Sequence, residues 1–226
     1  MATGTPPFHP ALGDLSRTIP VFPLSGAMLL PHGRMPLNIF EPRYLAMVED
    51  ALGARRMFGM IQPDSLKPAV THGPATFNIG CLGRITSFAE TEDGRIVISL
   101  LGLIRFAVEE EMEPRRGYRR MRVDFAAYAE DLDPLPRDIG LPRKTLLAAL
   151  RGYFDRQGLT ADWDMIAELD DATLLIALSM MCPFAPSEKQ ALLEAESAAA
   201  RMRILQALLE FGMHAQDPEG GTSRPS

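Results

Sequence analysis

The stretch IPVFPLSGAMLLPHGRMPLNIFEPRYLAMVEDAL, residues 19–52, decides how the rest of the chain is read. IPVFPL (19–24) carries β-branched and aromatic residues and reads as a strand. Pro20 and Pro23 cannot donate to a ladder, which assigns it to a sheet edge or a bulge. MPLNIF (35–40) is a second short strand, and Gly33 before it lets the chain turn where a Cβ would clash. The period then changes. Tyr44, Leu45, Met47, Val48 and Leu52 recur at steps of three and four, which predicts a helix. Pro42 suits its first position, Glu41 suits the positive end of its dipole, and Gly53 suits its stop.

Further along, MFGMIQP (57–63) and FNIGCLGRITSFAE (77–90) continue the short-run pattern. RIVISLLGLIRFAV (95–108) is nearly all apolar and predicts a long strand, buried on both faces for part of its length and bent at Gly102. Glu92-Asp93-Gly94 before it is a hairpin turn. EEEMEPRRGYRR (109–120) reads as a polar link. In YRRMRVDFAAY (118–128), Met121, Val123 and Phe125 alternate with Arg120, Arg122 and Asp124, the pattern of a half-buried strand. After Asp133-Pro134-Leu135-Pro136 the period becomes helical. Leu146, Leu147, Leu150, Tyr153 and Phe154 form one stripe, and Leu174, Leu175, Leu178 and Met181 form another that ends before Pro183. Ser187 and Gln190 have capping-box spacing ahead of Leu192 and Leu193. A last helix carries Met202, Leu205, Leu209 and Phe211 on a face wide enough for two neighbours. The division expected is a loose arm (1–16), a β-rich subdomain (17–133), a helical bundle (134–213) and a disordered tail (214–226).

Composition sets limits. The chain has 226 residues, 46% of them hydrophobic and 23% charged, with a net charge of -6. That is a globular composition with enough length for a real core. The acidity argues against a general nucleic-acid surface. Two distant cysteines, Cys81 and Cys182, make neither a disulfide framework nor a zinc site and read as buried thiols. The N-terminus has no secretory pattern and no apolar run approaches a membrane span, so a cytoplasmic protein with no membrane partner is expected.

The usual catalytic constellations are missing. No glycine is followed by lysine, so there is no phosphate-cradling P-loop, and neither GxGxxG nor GxSxG occurs. His9, His32, His72 and His214 lack metal-ligand spacing, so no metal, no other cofactor and no catalytic residue is assigned. The lysines, Lys67, Lys144 and Lys189, each read as solvated. Asp162, Asp164, Glu168, Asp170 and Asp171 lack calcium-loop spacing and read as helix caps. Arg115, Arg116, Arg119, Arg120 and Arg122 are the one local basic run, faced by Glu109, Glu110, Glu111 and Glu113.

Phe22-Pro23-Leu24, Pro31-His32-Gly33, Leu37 and Ile39-Phe40-Glu41-Pro42-Arg43-Tyr44 with Met47-Val48 resemble the opening of the Lon protease N-terminal, substrate-binding domain. The resemblance continues through Met57-Phe58-Gly59, Ile79-Gly80-Cys81 with Ile85, Asp93-Gly94-Arg95 and Gly102-Leu103-Ile104-Arg105-Phe106. It extends through Cys182-Pro183, Ser187-Glu188-Lys189-Gln190 and Leu192-Leu193-Glu194, over residues 17–212. It implies an α+β fold, a PUA-like β pseudo-barrel with one embedded helix followed by an α-helical bundle. The 226 residues hold neither the ATPase nor the Ser–Lys protease of a full-length Lon, so the expected member stands alone and carries no proteolytic residue.

The expected role is therefore non-catalytic. It is a module binding unfolded or degron-bearing polypeptides, or an adaptor presenting them to a separate protease in protein quality control. Methionine suits promiscuous apolar surfaces, and the chain has 13. Met28, Leu29, Leu30 and Met35 are the candidate surface, with Arg43 and Tyr44 as further contacts. The alternative is an RNA-binding PUA-like module with a groove built from Arg115 to Arg122; arginines paired with carboxylates would end that reading. A small enzyme with an unrecognised site is a third reading, which needs a deep polar pocket. The oligomeric state is left open.

Overall fold

The apolar run that begins at residue 95 becomes the spine of the molecule. In a computed structural model, residues 9–136 and 138–214 are described. Among them are strands β1 (Thr18–Pro23), β2 (Arg34–Ile39), β3 (Met57–Ile61), β4 (Ile79–Glu90), β5 (Ile96–Arg115) and β6 (Tyr118–Asp124). The helices are α1 (Pro42–Leu52), between β2 and β3, then α2 (Arg143–Gln157), α3 (Trp163–Glu168), α4 (Asp171–Met181), α5 (Pro186–Glu194) and α6 (Ala198–His214). The fold is α+β.

The strand order is β2-β5-β4-β3-β1-β6, and β6 also pairs with β5, so five strands close a ring of ladders with β2 laid against it. β4 pairs with β5 from Ile96 to Ala107. The other edge of β5 is shared: β2 pairs with residues 96–101 and β6 with residues 107–115. The expected polar link at 109–120 is corrected, because β5 runs on to Arg115 and the turn lies at Arg116-Gly117. Its charges are cross-strand partners: Arg122 meets Glu110 at 2.5 Å and Arg119 meets Glu111 at 2.6 Å. The hairpin at Glu92-Asp93-Gly94 is present, with Gly94 at φ 76°. The edge assignment of β1 is also corrected. β6 pairs with residues 18–21 and the parallel β3 with residues 21–23. Each proline thus stands where β1 has a neighbour on one side only.

Two apolar clusters result. The smaller draws on all five strands of the ring, through Val21, Ile61, Leu82, Phe106 and Val123 among others. The larger joins the outer side of the sheet and α1 to the helical half. Cys81 and Cys182 are buried free thiols, as expected. Residues 9–16 are not loose: Leu15 is buried and His9 Nε2 lies 3.0 Å from the Leu132 carbonyl oxygen. The remainder of the expected arm and the tail beyond residue 214 lie outside the described residues. The acidic cluster caps helices: Asp162 accepts from the Met165 amide at 3.0 Å and Asp170 from the Thr173 amide at 2.9 Å. The Ser187–Gln190 box is corrected. α5 starts at Pro186, and the Glu188 carboxylate accepts from the Ala185 amide at 2.7 Å. Lys189 is not solvated either. It is buried and donates to the Gly26 carbonyl at 2.8 Å and the Met180 carbonyl at 3.2 Å. α6 packs against α2, α4 and α5. No helix among the described residues is long and apolar enough to cross a membrane.

Arg105 on β5 fastens the two halves. Its guanidinium makes a bidentate pair with Asp131, with both contacts at 2.8 Å. It also donates to the Leu193 carbonyl at 3.3 Å and the Ala195 carbonyl at 2.7 Å, at the C-terminal end of α5. Arg201 donates to the Leu192 carbonyl at 2.9 Å. Two cations therefore satisfy carbonyls that the end of α5 leaves unpaired, where the helix dipole favours positive charge. Burial holds the Arg201 pKa down, at about 10. Removing one partner of a buried pair leaves the other uncompensated, so Arg105→Ala is expected to cost about 3 kcal/mol. A urea midpoint unchanged from wild type would show that the clasp contributes nothing.

Candidate functional site

The site is built on the turn Leu30-Pro31-His32-Gly33. The Gly33 amide donates to the Leu30 carbonyl at 2.9 Å, closing a turn with Pro31 and His32 at its centre. The left-handed residue at its centre is His32, at φ 64°. Gly33 stands, as expected, where a Cβ would clash: it would meet Met180 Sδ and, at 3.2 Å, Ile176 Cγ2 on α4. The turn is seated on Gly102 of β5. The His32 amide donates to the Gly102 carbonyl at 2.9 Å and the Gly102 amide to the Gly33 carbonyl at 2.8 Å. A Cβ at Gly102 would overlap the Leu30 carbonyl oxygen, so the expected bend residue is also a contact point between two backbones.

This close approach leaves a groove of about 620 Å³ between the turn, the Leu101–Gly102 edge of β5, the segment Leu132–Leu135 and α4. Its α4 wall is Thr173, Ile176, Ala177, Met180 and Met181. Met181 is 81% exposed. Apart from Thr173 the wall is thioether and hydrocarbon, with Arg34 and Asp170 as the charged residues of the lining. His32 adds a buried Nε2 with no hydrogen-bond partner among the described residues. Burial pushes its pKa below the ordinary histidine value, helped by the charge of His9 and opposed by the Asp131 carbonyl and carboxylate.

The expected candidate residues do not converge here. Met28, Leu29 and Leu30 are 1%, 1% and 0% exposed, so they form no surface. Their segment runs between the sheet and the helices, and they join the larger core cluster. Met35 is half-buried on β2, packed at the edge of that cluster. Tyr44 is buried, with its ring 4.1 Å from that of Phe22. Arg43 is exposed, pairs with Glu41 at 2.9 Å and lies over the Tyr44 ring at 4.6 Å. Sequence reasoning missed Met180 and Met181. The signal was present: residues 174–181 are apolar except for Ser179, and a helix of that kind has more than one partner.

The basic run does not make an RNA groove. Arg119 is buried against Glu111, Arg122 pairs with Glu109 and Glu110, and Arg116 pairs with Glu49 and Asp50. By the criterion set from the sequence, that reading fails. Groups of His, Cys, Asp and Glu able to hold a metal ion are absent among the described residues.

Residues 18–210 match the family model of the ATP-dependent protease La (LON) substrate-binding domain. The chain belongs to that family. As a Lon substrate-binding domain it is 27% identical over 225 residues to a Lon protease 2 of Sorangium cellulosum, covering 92% of this chain and 26% of that protein. It is 29% identical over 92 residues to a Lon protease of Desulfosudis oleivorans, covering 40% of this chain and 11% of that one. The Lon-type chain thus spans about a quarter of the length of the Sorangium relative. Two solved structures share its fold. A Lon N-terminal domain protein from Xanthomonas campestris superposes with a TM-score of 0.55 at 24% identity, over 85% of this chain and 96% of that one. The N-terminal domain of a Mycobacterium avium complex Lon protease superposes with a TM-score of 0.56 at 14% identity, over 85% and 97%.

The His32 shift fixes the sign of a pH effect. Because the folded-state pKa is lowered, the unfolded chain takes up the proton first. The stability tied to neutral His32 is complete above about pH 6.5 and is lost as the pH falls through the folded value. Urea midpoints measured from about pH 7 down to about pH 5 should fall in the wild type, and His32→Gln should flatten that fall.

Proposed function

We propose that this Lon-type domain is a non-catalytic recognition module that holds an extended apolar stretch of an unfolded or degron-bearing polypeptide in the groove along α4. It would act in the cytoplasm as an adaptor, passing that segment to a protease on a separate chain. In this reading the strand ring is a PUA-like pseudo-barrel serving as a scaffold, and the turn at 30–33 and α4 are the jaws. The observation that carries the reading is the thioether lining made by half-buried Met180 and exposed Met181 across from the β5 edge, in a chain whose family is defined by substrate binding. Flexible, polarizable methionine adapts to many apolar side chains, as a binder of unlike segments requires.

Anisotropy of a labelled protein kept unfolded by reduction and carboxymethylation tests this. Met181→Glu places a charge on the groove wall at an exposed position, so its circular dichroism should match wild type. Affinity should fall by about tenfold, the loss expected for one well-buried apolar contact. Equal affinity in the two proteins would overturn the assignment.

A further inference from the structure

A second cavity, of about 330 Å³, lies between the C-terminal end of α1, the start of β1 and the β5–β6 hairpin. Its floor is apolar, formed by Ile19, Met57 and Leu82. Its rim carries Arg55, Arg115 and Arg120. Asp50 also lines it, but its oxygens are engaged: the Tyr118 hydroxyl donates at 2.7 Å, Arg116 Nη1 at 2.8 Å, and Arg115 Nε stands 3.2 Å away. The hydrogen bond from Tyr118 comes first among the causes that hold the Asp50 pKa down, so it stays an anion already matched. Arg116 is further satisfied by Glu49 at 2.7 Å.

The remaining cations are not matched in this way. Arg120 donates from Nε and Nη2 to the Glu113 carbonyl at 3.1 and 3.0 Å, and Arg55 donates to the Asp14 carbonyl. Neither reaches a carboxylate among the described residues, and Arg115 gives Asp50 only its Nε side. Around this mouth four guanidiniums meet two carboxylates. The surplus positive charge sits above hydrocarbon, an arrangement that rewards a ligand whose anionic group is attached directly to an apolar one. A phosphodiester backbone carries no such hydrocarbon. The volume is at the lower end of small-molecule sites.

We propose that this cavity binds an apolar carboxylate, with the carboxylate among Arg55, Arg115 and Arg120 and the hydrocarbon on Ile19, Met57 and Leu82. The forked guanidinium donors match the two oxygens of a carboxylate bidentately. Two sources share this chemistry, a free short-chain acid and the C-terminus of a polypeptide ending in an apolar residue. The site is separate from the α4 groove, so each assignment can fail without the other.

Titration of the isotopically labelled full chain, followed by amide chemical shifts, tests the proposal. The probes are hexanoate, hexanamide, and a leucine-terminated peptide as free acid and as C-terminal amide. Hexanoate or the free-acid peptide should shift the amides of Met57, Leu82 and Tyr118, and the uncharged counterparts should bind about tenfold more weakly. Shifts from both acids assign the general class; shifts from the peptide alone assign a chain terminus. The double variant Arg55→Gln, Arg120→Gln should weaken binding by about tenfold or more. If circular dichroism shows that it misfolds, Arg55→Gln alone serves, since its one described bond is to a carbonyl. Amide and acid probes of equal affinity, no shift at these residues, or a folded variant that binds like wild type would each overturn the proposal.

Discussion

The structure depends on a buried arginine that bonds in two directions. Arg105 lies on the spine strand, and its guanidinium faces Asp131 on one side and the end of α5 on the other. A bidentate carboxylate and two carbonyls satisfy nearly all the directions in which a guanidinium donates. Its face is covered by the Tyr128 ring, at 4.6 Å. Lysine could supply the charge but not this fork. The helical half is therefore located by directional bonds to one strand residue as well as by the large apolar cluster, which is non-directional and by itself would tolerate sliding.

That location creates the groove. Once α5 is anchored, α4 lies against the 30–33 turn, and the absence of side chains at Gly33 and Gly102 sets how closely the three backbones approach. The groove is what remains where they do not touch. Its walls are thus built on a helix and a strand ladder, while its chemistry comes from flexible thioethers. A rigid frame with an adaptable lining suits a binder of many unlike apolar segments.

Much of the frame was legible in the sequence. The embedded helix, the Asp93-Gly94 hairpin, the alternation of Met121, Val123 and Phe125, and the helical second half all follow from local period and turn chemistry. Three features did not. The polar residues 109–115 form a strand because their charges pair across the ladder, information that belongs to two strands at once. Lys189 is buried because two carbonyls receive its ammonium, that of Met180 on the preceding helix and that of Gly26, far away in sequence. Met28, Leu29 and Leu30 have the composition of an adhesive surface, yet they lie beneath the helices, and composition cannot say which side of an apolar segment is covered. The lining at Met180 and Met181 was visible only as a helix with too many apolar faces.

The staggered pairing of β1 has a consequence for the order in which the molecule forms. Thr18 pairs with Arg122, so the ladder that closes the ring waits until most of the first half has been synthesised. The acceptor carbonyls for Arg105 come later still, at Leu193 and Ala195. Until β6 is made, residues 18–20 of β1 lack their partner, the condition in which strands join other chains. Pro20 and Pro23 interrupt its row of donors. In the finished ring they fall where a donor is least needed, and in the nascent chain they act as guards.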